Sequence, residues 1–412
     1  MRRCVGCCRS IWRGSWIDLP ALVAPTASCD HYNIIMVRKQ VQLPLIERFR
    51  CWRDRLMASA GFQRWAADFP LTRPVAGRRA RQLFDITAGF VYSQILYACV
   101  ELDVFDKLAD GPRSAAELAG SMGMSEVAAE RLLRAAVAID LLQRRAGDRF
   151  GLGRHGVAMP GNPGIAAMVK HHRMLYQDLA DPVALFRGEI EQTELGRYWS
   201  YAGSLDPAAD GDDRVAEYST LMSASTGFVA EDTLDAYSLR KHKCLMDVGG
   251  GEGRFLIQAG ERWPHLELML FDLPAVSERA ARTLEQAGLG ERARAIGGNL
   301  KADPLPKGAD IISLVRVILD HNDDGAMVIL RAVRAALPDG GTLLITEPMS
   351  ETPGAESVGD AYFGLYLLAM GSGRTRPPRE LKAMLTQAGF EQIRLLHTRR
   401  PLQTRVLIAK AA

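Results

Sequence analysis

The chain has 412 residues, 48% hydrophobic and 24% charged, with a formal net charge of +3, the balance of a globular protein of two or three domains. No stretch approaches the roughly 18 uninterrupted apolar residues of a membrane-spanning helix, and nothing reads as a cleaved secretory leader. The expectation is a soluble or peripheral protein of the cytoplasm.

Residues 1–56 show no sustained periodicity and are expected to form a basic, disordered arm. Fifteen Arg and Lys against five Asp and Glu in residues 1–81 make a local charge of +10, so the remainder sums to −7. A basic arm has a functional reading too, attraction to an anionic membrane surface at the inner face of the membrane. Nucleic acid fits less well, because nothing downstream continues the basic surface. The CxxCC formed by Cys4, Cys7 and Cys8 has no second ligand pair at metal spacing, so no metal is expected.

Residues 57–160 read as a helical domain closing in a small wing. RQLFDITAGFVYSQILYACVELDVFDKLADG is apolar around nearly its whole circumference and predicts a helix buried on more than one side. Ser114 and Glu117 stand at capping-box spacing, Ser125 is the N-cap expected for the next helix, and QRRAGDRFGLG predicts a hairpin turning at Gly147-Asp148. Helix, helix, wing is the winged-helix order, used for DNA binding or for dimerisation. The helix 125–142 offers Arg131 and Arg134 against Glu126, Glu130 and Asp140, too few donors for a groove reader. A homodimerisation module is the favoured reading. Residues 161–239 read as a helical connector broken at Pro163, Pro182, Gly188 and Pro207, and carry His171, His172, Met174 and Tyr176.

From 240 to 412 the period changes. KCLMDVGG, LELMLFDL, ARAIGGNL, ADIISLVRV, GGTLLITEP, EQIRLLHTR and TRVLIAK are short strand-like runs, most of them separated by helical stretches. That alternation predicts a Rossmann-like α/β domain with a parallel sheet covered on both faces. Ligands bind such sheets at the carboxyl ends of the strands.

The first strand ends in LMDVGGGEGRFL, residues 245–256. A dinucleotide fingerprint needs GxGxxG, but counting from Gly249 the third glycine falls on Arg254, and from Gly251 on Leu256. The stretch is instead D-x-G-x-G-x-G, from Asp247 through Gly249 and Gly251 to Gly253. A carboxylate at the strand end repels phosphate and suits an ammonium group. S-adenosylmethionine carries that ammonium, a sulfonium and no phosphate. The next strand ends in Asp272, followed by Leu273, and the third in Asn299, followed by Leu300. A carboxylate at 272 can accept the ribose hydroxyls, and the Asn299 carbonyl the adenine amino group. Helix-cap or turn roles are the plainer alternatives for each.

DVGGGEG, FDLPAV, GGNLKADPLP, the VRVILDHNDD region and ALPDGG…TEPM resemble the cofactor motifs of the plant-type O-methyltransferase superfamily, which includes caffeate and acetylserotonin methyltransferases. The likeness runs over roughly residues 78–410 and implies a class I methyltransferase domain behind an all-α, winged-helix dimerisation domain. FPLTRPVAGRRARQLFDITAGFVYSQ, GNPGIAAMV, DLADPVALFRG and GDAYFGLYLLAMGSGR are similar to its purple-bacterial branch, which methylates the tertiary C-1 hydroxyl of acyclic carotenoids of the hydroxyneurosporene type. The resemblance implies that Gly249 contacts the methionyl part of the cofactor, Asp272 the ribose, and Asn299 with Leu300 the adenine. Asn299 stands where the superfamily has Asp, and Arg316 is a further candidate for the cofactor carboxylate.

The superfamily's catalytic pattern is HDW, a small or acidic residue, then Asp, with the His as general base. Here the window is Leu319-Asp320-His321-Asn322-Asp323, so leucine occupies the base position. Of two supporting glutamates, one matches Glu347 and the other falls on Thr375. A tertiary alcohol is a far weaker acid than a phenol, and its methylation can rest on proximity and desolvation. His321 is either a displaced base or an occupant of the Trp slot that packs on the cofactor. For the hydrophobic acceptor, the segment 360–373, with Gly364 and Leu368, is expected to line the pocket, faced by His171, Met174 and Tyr176. A small phenol or quinone is the alternative acceptor. An inactive S-adenosylmethionine-binding regulator is the alternative class.

Overall fold

The computed structural model describes residues 44–199, 227–402 and 404–412, so the CxxCC motif lies outside the described residues. The chain divides into two compact units, residues 1–84 and 85–412. In the first, α1 (Leu45–Ala58) and α2 (Ala60–Asp68) precede α3 (Arg73–Glu101), which continues past the division. α1 corrects the expectation of a disordered segment reaching residue 56. Leu45, Phe49, Trp52 and Leu56 recur at helical spacing, a stripe that six intervening arginines and acids obscure in the linear sequence.

Helix α3 departs from expectation in two ways. Only Cys99 and Val100 are buried, while Leu83, Phe84, Ile86, Phe90 and Val91 are exposed. By length and composition it is also the one helix among the described residues able to cross a membrane. Its polar Gln, Thr, Ser and Tyr break the apolar run without adding charge, and Asp85 is the only charged residue between Leu83 and Val100.

The second unit opens with the expected winged-helix order: α4 (Val104–Lys107), β1 (Arg113–Ser114), α5 (Ala115–Met122), α6 (Glu126–Ala138), β2 (Leu142–Arg145) and β3 (Arg149–Leu152). The Ser114–Glu117 capping box forms in full, and Ser125 Oγ accepts from the Ala128 N–H. Gly147 (φ 73°) and Asp148 (φ 58°) both sit in the left-handed region, which turns the β2–β3 hairpin with the right twist. The pairing of β1 with β3 adds a third strand. On α6, Arg134 is tied to Glu130 at 2.6 Å, which leaves still fewer donors for nucleic acid. The connector forms α7 (Pro163–Asp178), α8 (Pro182–Arg187) and α9 (Glu194–Tyr198); described residues 227–236 form a further helix, α10.

All seven strand-like runs become strands of one sheet: β4 (Cys244–Val248), β5 (Glu267–Asp272), β6 (Ala293–Gly297), β7 (Ile311–Val315), β8 (Thr342–Glu347), β9 (Phe390–Leu396) and β10 (Arg405–Ala411). Their order is β6-β5-β4-β7-β8-β10-β9. β4 to β8 pair in parallel, while β10 is antiparallel to both β8 and β9. Helices α11 (Arg254–Arg262) and α12 (Pro274–Gln286) cover one part of the sheet; α13 (Asp323–Ala336), then α14 (Gly364–Met370) and α15 (Pro378–Gln387), follow later strands. Two apolar clusters occupy the two faces, one around Met246, Ile312 and Leu330, the other around Leu245, Leu256 and Leu268. Burial on both faces is why the strands read as apolar runs rather than alternating ones. The order reverses at β4, and the crevice beside the carboxyl ends of β4 and β7 is the expected binding position.

Candidate active site

The turn after β4 is built for close backbone approach. Gly249 has φ 70°, and a Cβ there would stand 2.8 Å from Val317 Cγ2. Gly251 (φ 56°) and Gly253 (φ 81°) are also left-handed, a conformation that side chains other than glycine's adopt at a cost. Asp247 lies beneath this turn, 1% exposed. Ser313 donates to its Oδ1 at 2.6 Å, while Oδ2 has no partner and would be 2.7 Å from a Cβ at Gly250. Burial pushes this carboxyl up to about 7.

The next two strand ends hold the other expected groups. Asp272 accepts from the Gly251 N–H at 2.8 Å and the Leu273 N–H at 2.7 Å, and so ties the glycine turn to the end of β5. Each oxygen keeps a lone pair for a hydroxyl. Asn299 Oδ1 accepts from the Lys301 N–H at 3.0 Å, and the Asn299 N–H donates to Asp303. It is thus a turn residue with one free lone pair on its carbonyl. Leu300 packs against the core beside it.

Beyond β7, residues 316–320 connect this turn to a second cleft. Val317 touches the Gly249 position; Arg316, Leu319 and Asp320 line the cleft with Met168, Trp199, Tyr362, Phe363, Tyr366, Leu367 and Met370. The backbone of Arg316 is left-handed at φ 59°, a strained conformation of the kind that gathers at functional sites. Its N–H is held by the Thr346 carbonyl at 2.7 Å. The walls are largely apolar, and Asp320 is the one carboxylate among the described lining residues. Burial pushes Asp320 up to about 7 against the opposing pull of Arg316.

Two buried groups fix the 318–323 turn. Glu347 Oε2 accepts from the Leu319 N–H at 3.0 Å, Oε1 has no partner, and burial raises the carboxyl to about 8. Glu347 thus braces backbone, and burial favours its protonated form. Arg376, fully buried, donates to the carbonyls of Ile318 (3.0 Å) and His321 (2.7 Å) and to Asp323. Sequence reasoning missed Arg376, because nothing in TRPPRE marks an arginine for burial. It quoted Asp320 without assigning it a role, though an acid beside a vacant base position was the available signal. Thr375, on the superfamily's second glutamate position, donates to the Gly359 carbonyl.

His321 is 7% exposed, its Nδ1 has no partner, and burial lowers it to about 4. It faces the charge of Lys301 and does not line the cleft that holds Asp320. The expected pocket residues are likewise placed differently. Residues 360–373 do supply one wall, but through Tyr362, Phe363, Tyr366, Leu367 and Met370. At about 100° per residue these share one helical face, which puts Gly364 and Leu368 on the other, and Leu368 is 38% exposed. His171 sits behind the wall, with Nε2 2.6 Å from the Tyr366 hydroxyl, and Trp199 Nε1 donates to that same hydroxyl at 3.0 Å. His172 pairs with Tyr362 in the same way, and Tyr176 packs edge-on against Tyr97 and His172. Met174 packs against the apolar cluster that includes Leu319 and Tyr366.

An O-methyltransferase domain model matches residues 176–391, and an O-methyltransferase dimerisation domain model matches residues 84–156. The chain belongs to the O-methyltransferase family. Among its relatives, demethylspheroidene O-methyltransferase of Cereibacter sphaeroides is 45% identical over 347 residues, 84% of this chain and 91% of that one. Acetylserotonin O-methyltransferase of Mus musculus is 31% identical over 342 residues, 79% and 87% of the two chains. The solved structure of CalO1, a methyltransferase in calicheamicin biosynthesis in its SAH-bound form, superposes with a TM-score of 0.67 at 25% identity, over 81% and 98% of the chains.

As an O-methyltransferase the protein uses S-adenosylmethionine, and the residues present fit it. The glycine turn leaves room that a Cβ would fill, and the unpaired Asp247 oxygen beneath it is a buried polar atom that a cationic ligand would satisfy. Through the dimerisation domain, which begins at residue 84, the protein forms a homodimer. The apolar residues that α3 leaves exposed from Phe84 onward belong to that domain.

Proposed function

We propose that this O-methyltransferase methylates the tertiary C-1 hydroxyl of an acyclic carotenoid of the demethylspheroidene type. The observation that carries the reading is the cleft beyond β7, whose walls are largely apolar and which holds Asp320 as its one carboxylate among the described lining residues. The 45% identity to an enzyme named for that acceptor supports it. Largely apolar walls around one acidic group suit the hydroxyl-bearing end of an apolar acceptor.

S-adenosylmethionine, when bound, supplies an electrophilic methyl group on its sulfonium. Gly249, Gly251 and Gly253 admit it to the backbone, Asp272 takes the ribose hydroxyls, and Asn299 with Leu300 borders the adenine. Arg316 and Asp320 face the acceptor. As the hydroxyl oxygen gains the methyl, its proton passes to the Asp320 carboxylate and then to water. Held at about 7, Asp320 is a stronger base than an ordinary aspartate and matches the working pH, as general-base catalysis requires. Leu319, at the superfamily's base position, keeps water from the oxygen. His321 is assigned to packing near the adenine side, and Glu347 to bracing the turn.

The test is to offer purified enzyme a 1-hydroxylated acyclic carotenoid and a catechol side by side, with mass detection of products. Methylation of the carotenoid alone is expected. Turnover of the catechol alone would replace the reading with a phenol methyltransferase, and cofactor binding without turnover of any hydroxyl would indicate a regulatory protein.

A further inference from the structure

Residues 44–84 carry a surface that the methyltransferase reaction does not use. Helix α1 has no buried residue, and its stripe is open to solvent: Leu45 is 81% exposed, Phe49 60%, Trp52 58% and Leu56 41%. Trp65 on α2 and Phe69 just past its end stack at 5.1 Å and are also exposed, as are Leu71 and Val75 beyond them. Rings and branched side chains gathered this way in water mark a contact surface rather than a finished exterior.

The charges around the stripe indicate what it contacts. Residues 44–84 hold nine arginines (48, 50, 53, 55, 64, 73, 78, 79 and 81) against Glu47, Asp54 and Asp68, a net charge of +6. Only Arg50 and Arg53 have ion pairs within this segment. A second copy of the chain would bring like charge against like charge. The match to the dimerisation domain begins at residue 84, beyond this segment. Tryptophan and phenylalanine rings flanked by arginines are the composition of helices that lie in the plane of an anionic bilayer, rings at the headgroup level and guanidinium groups on phosphate.

We propose that α1, α2 and the first turns of α3 form an interfacial anchor for anionic phospholipid, with Phe49, Trp52, Trp65 and Phe69 as the inserted residues and Arg78, Arg79 and Arg81 as headgroup contacts. The purpose of the anchor rests on the polyene-acceptor reading, since a carotenoid alcohol dissolves in the bilayer and not in water. Its existence does not depend on that reading.

The experiment uses the full-length protein and vesicles of phosphatidylcholine with and without phosphatidylglycerol, with no acceptor present. Flotation should show binding to the anionic vesicles only, weakening as salt rises. Replacing Phe49, Trp52 and Trp65 together with Ser should reduce the bound fraction about tenfold, as should Arg78→Ser with Arg79→Ser and Arg81→Ser. Trp52→Phe with Trp65→Phe should retain binding while losing quenching by brominated lipid, which guards against a folding defect in the Ser variants. Methyl transfer to detergent-dispersed carotenoid, measured separately, should be unchanged in all of them. Equal binding to neutral and anionic vesicles, wild-type binding by the Ser variants, or conversion of the variants to monomers would overturn the anchor. Loss of carotenoid turnover in the wild type would overturn the acceptor reading and leave the vesicle result standing.

Discussion

Asp320→Asn isolates the proton-transfer step, because asparagine keeps the shape of aspartate but cannot accept the proton. Burial holds the Asp320 carboxyl near 7, and the base must be ionised to act, so the rate should rise with pH through that value. About a tenth of the enzyme carries the carboxylate at about pH 6, and about nine tenths at about pH 8. The single-turnover rate at saturating cofactor should therefore climb about tenfold between them. The substitution should lower the plateau by about 10²–10⁴-fold and remove the ascending limb, with cofactor affinity by calorimetry unchanged. Asp320→Glu should restore part of the rate. The same profile tests His321, which burial lowers to about 4: a histidine base would place the limb there. A limb near pH 4, a flat profile, or an Asp320→Asn variant within a few-fold of wild type would refute the assignment of the base.

Leu367 lines the cleft and is 2% exposed, whereas Leu368 is 38% exposed; Leu367→Trp should abolish turnover with cofactor binding intact, and Leu368→Trp should be tolerated. Equal activity of the two variants would show that the acceptor lies elsewhere. Gly249→Ala forces a left-handed alanine against Val317 and should weaken S-adenosylmethionine about tenfold by calorimetry; unchanged affinity would remove the turn from the cofactor site. Stability should depend on the buried acids. Asp247 and Glu347 are raised from 3.8 and 4.5 to about 7 and about 8, so folding favours their protonated forms. The stability they contribute is full below about pH 4 and is lost as pH rises through about 7 and 8. The melting temperature of the cofactor-free protein should accordingly fall between about pH 4 and pH 8, and Glu347→Gln should flatten part of that fall.

How much of this was legible in advance follows from the range of the forces involved. The seven strands, the Ser114–Glu117 box, the Gly147-Asp148 turn and the D-x-G-x-G-x-G loop are each written in a few neighbouring residues. Side-chain period, cap hydrogen bonds and left-handed glycines act within one or two turns of chain, so local sequence determined them. The cofactor site was readable for the same reason, since it lies at successive strand ends whose order follows from the α/β alternation. The acceptor site was not. Its wall depends on which face of residues 360–370 turns inward, and on Met168 and Trp199 arriving from the connector. The raised carboxyls of Asp320 and Glu347 exist only because the folded chain removes them from water. The stripe on α1 is visible in the sequence as spacing, but whether such a stripe forms core or surface is decided by what folds over it. Among the described residues nothing does. Burial sums contributions from residues distant in the chain, and only the tertiary structure brings those together.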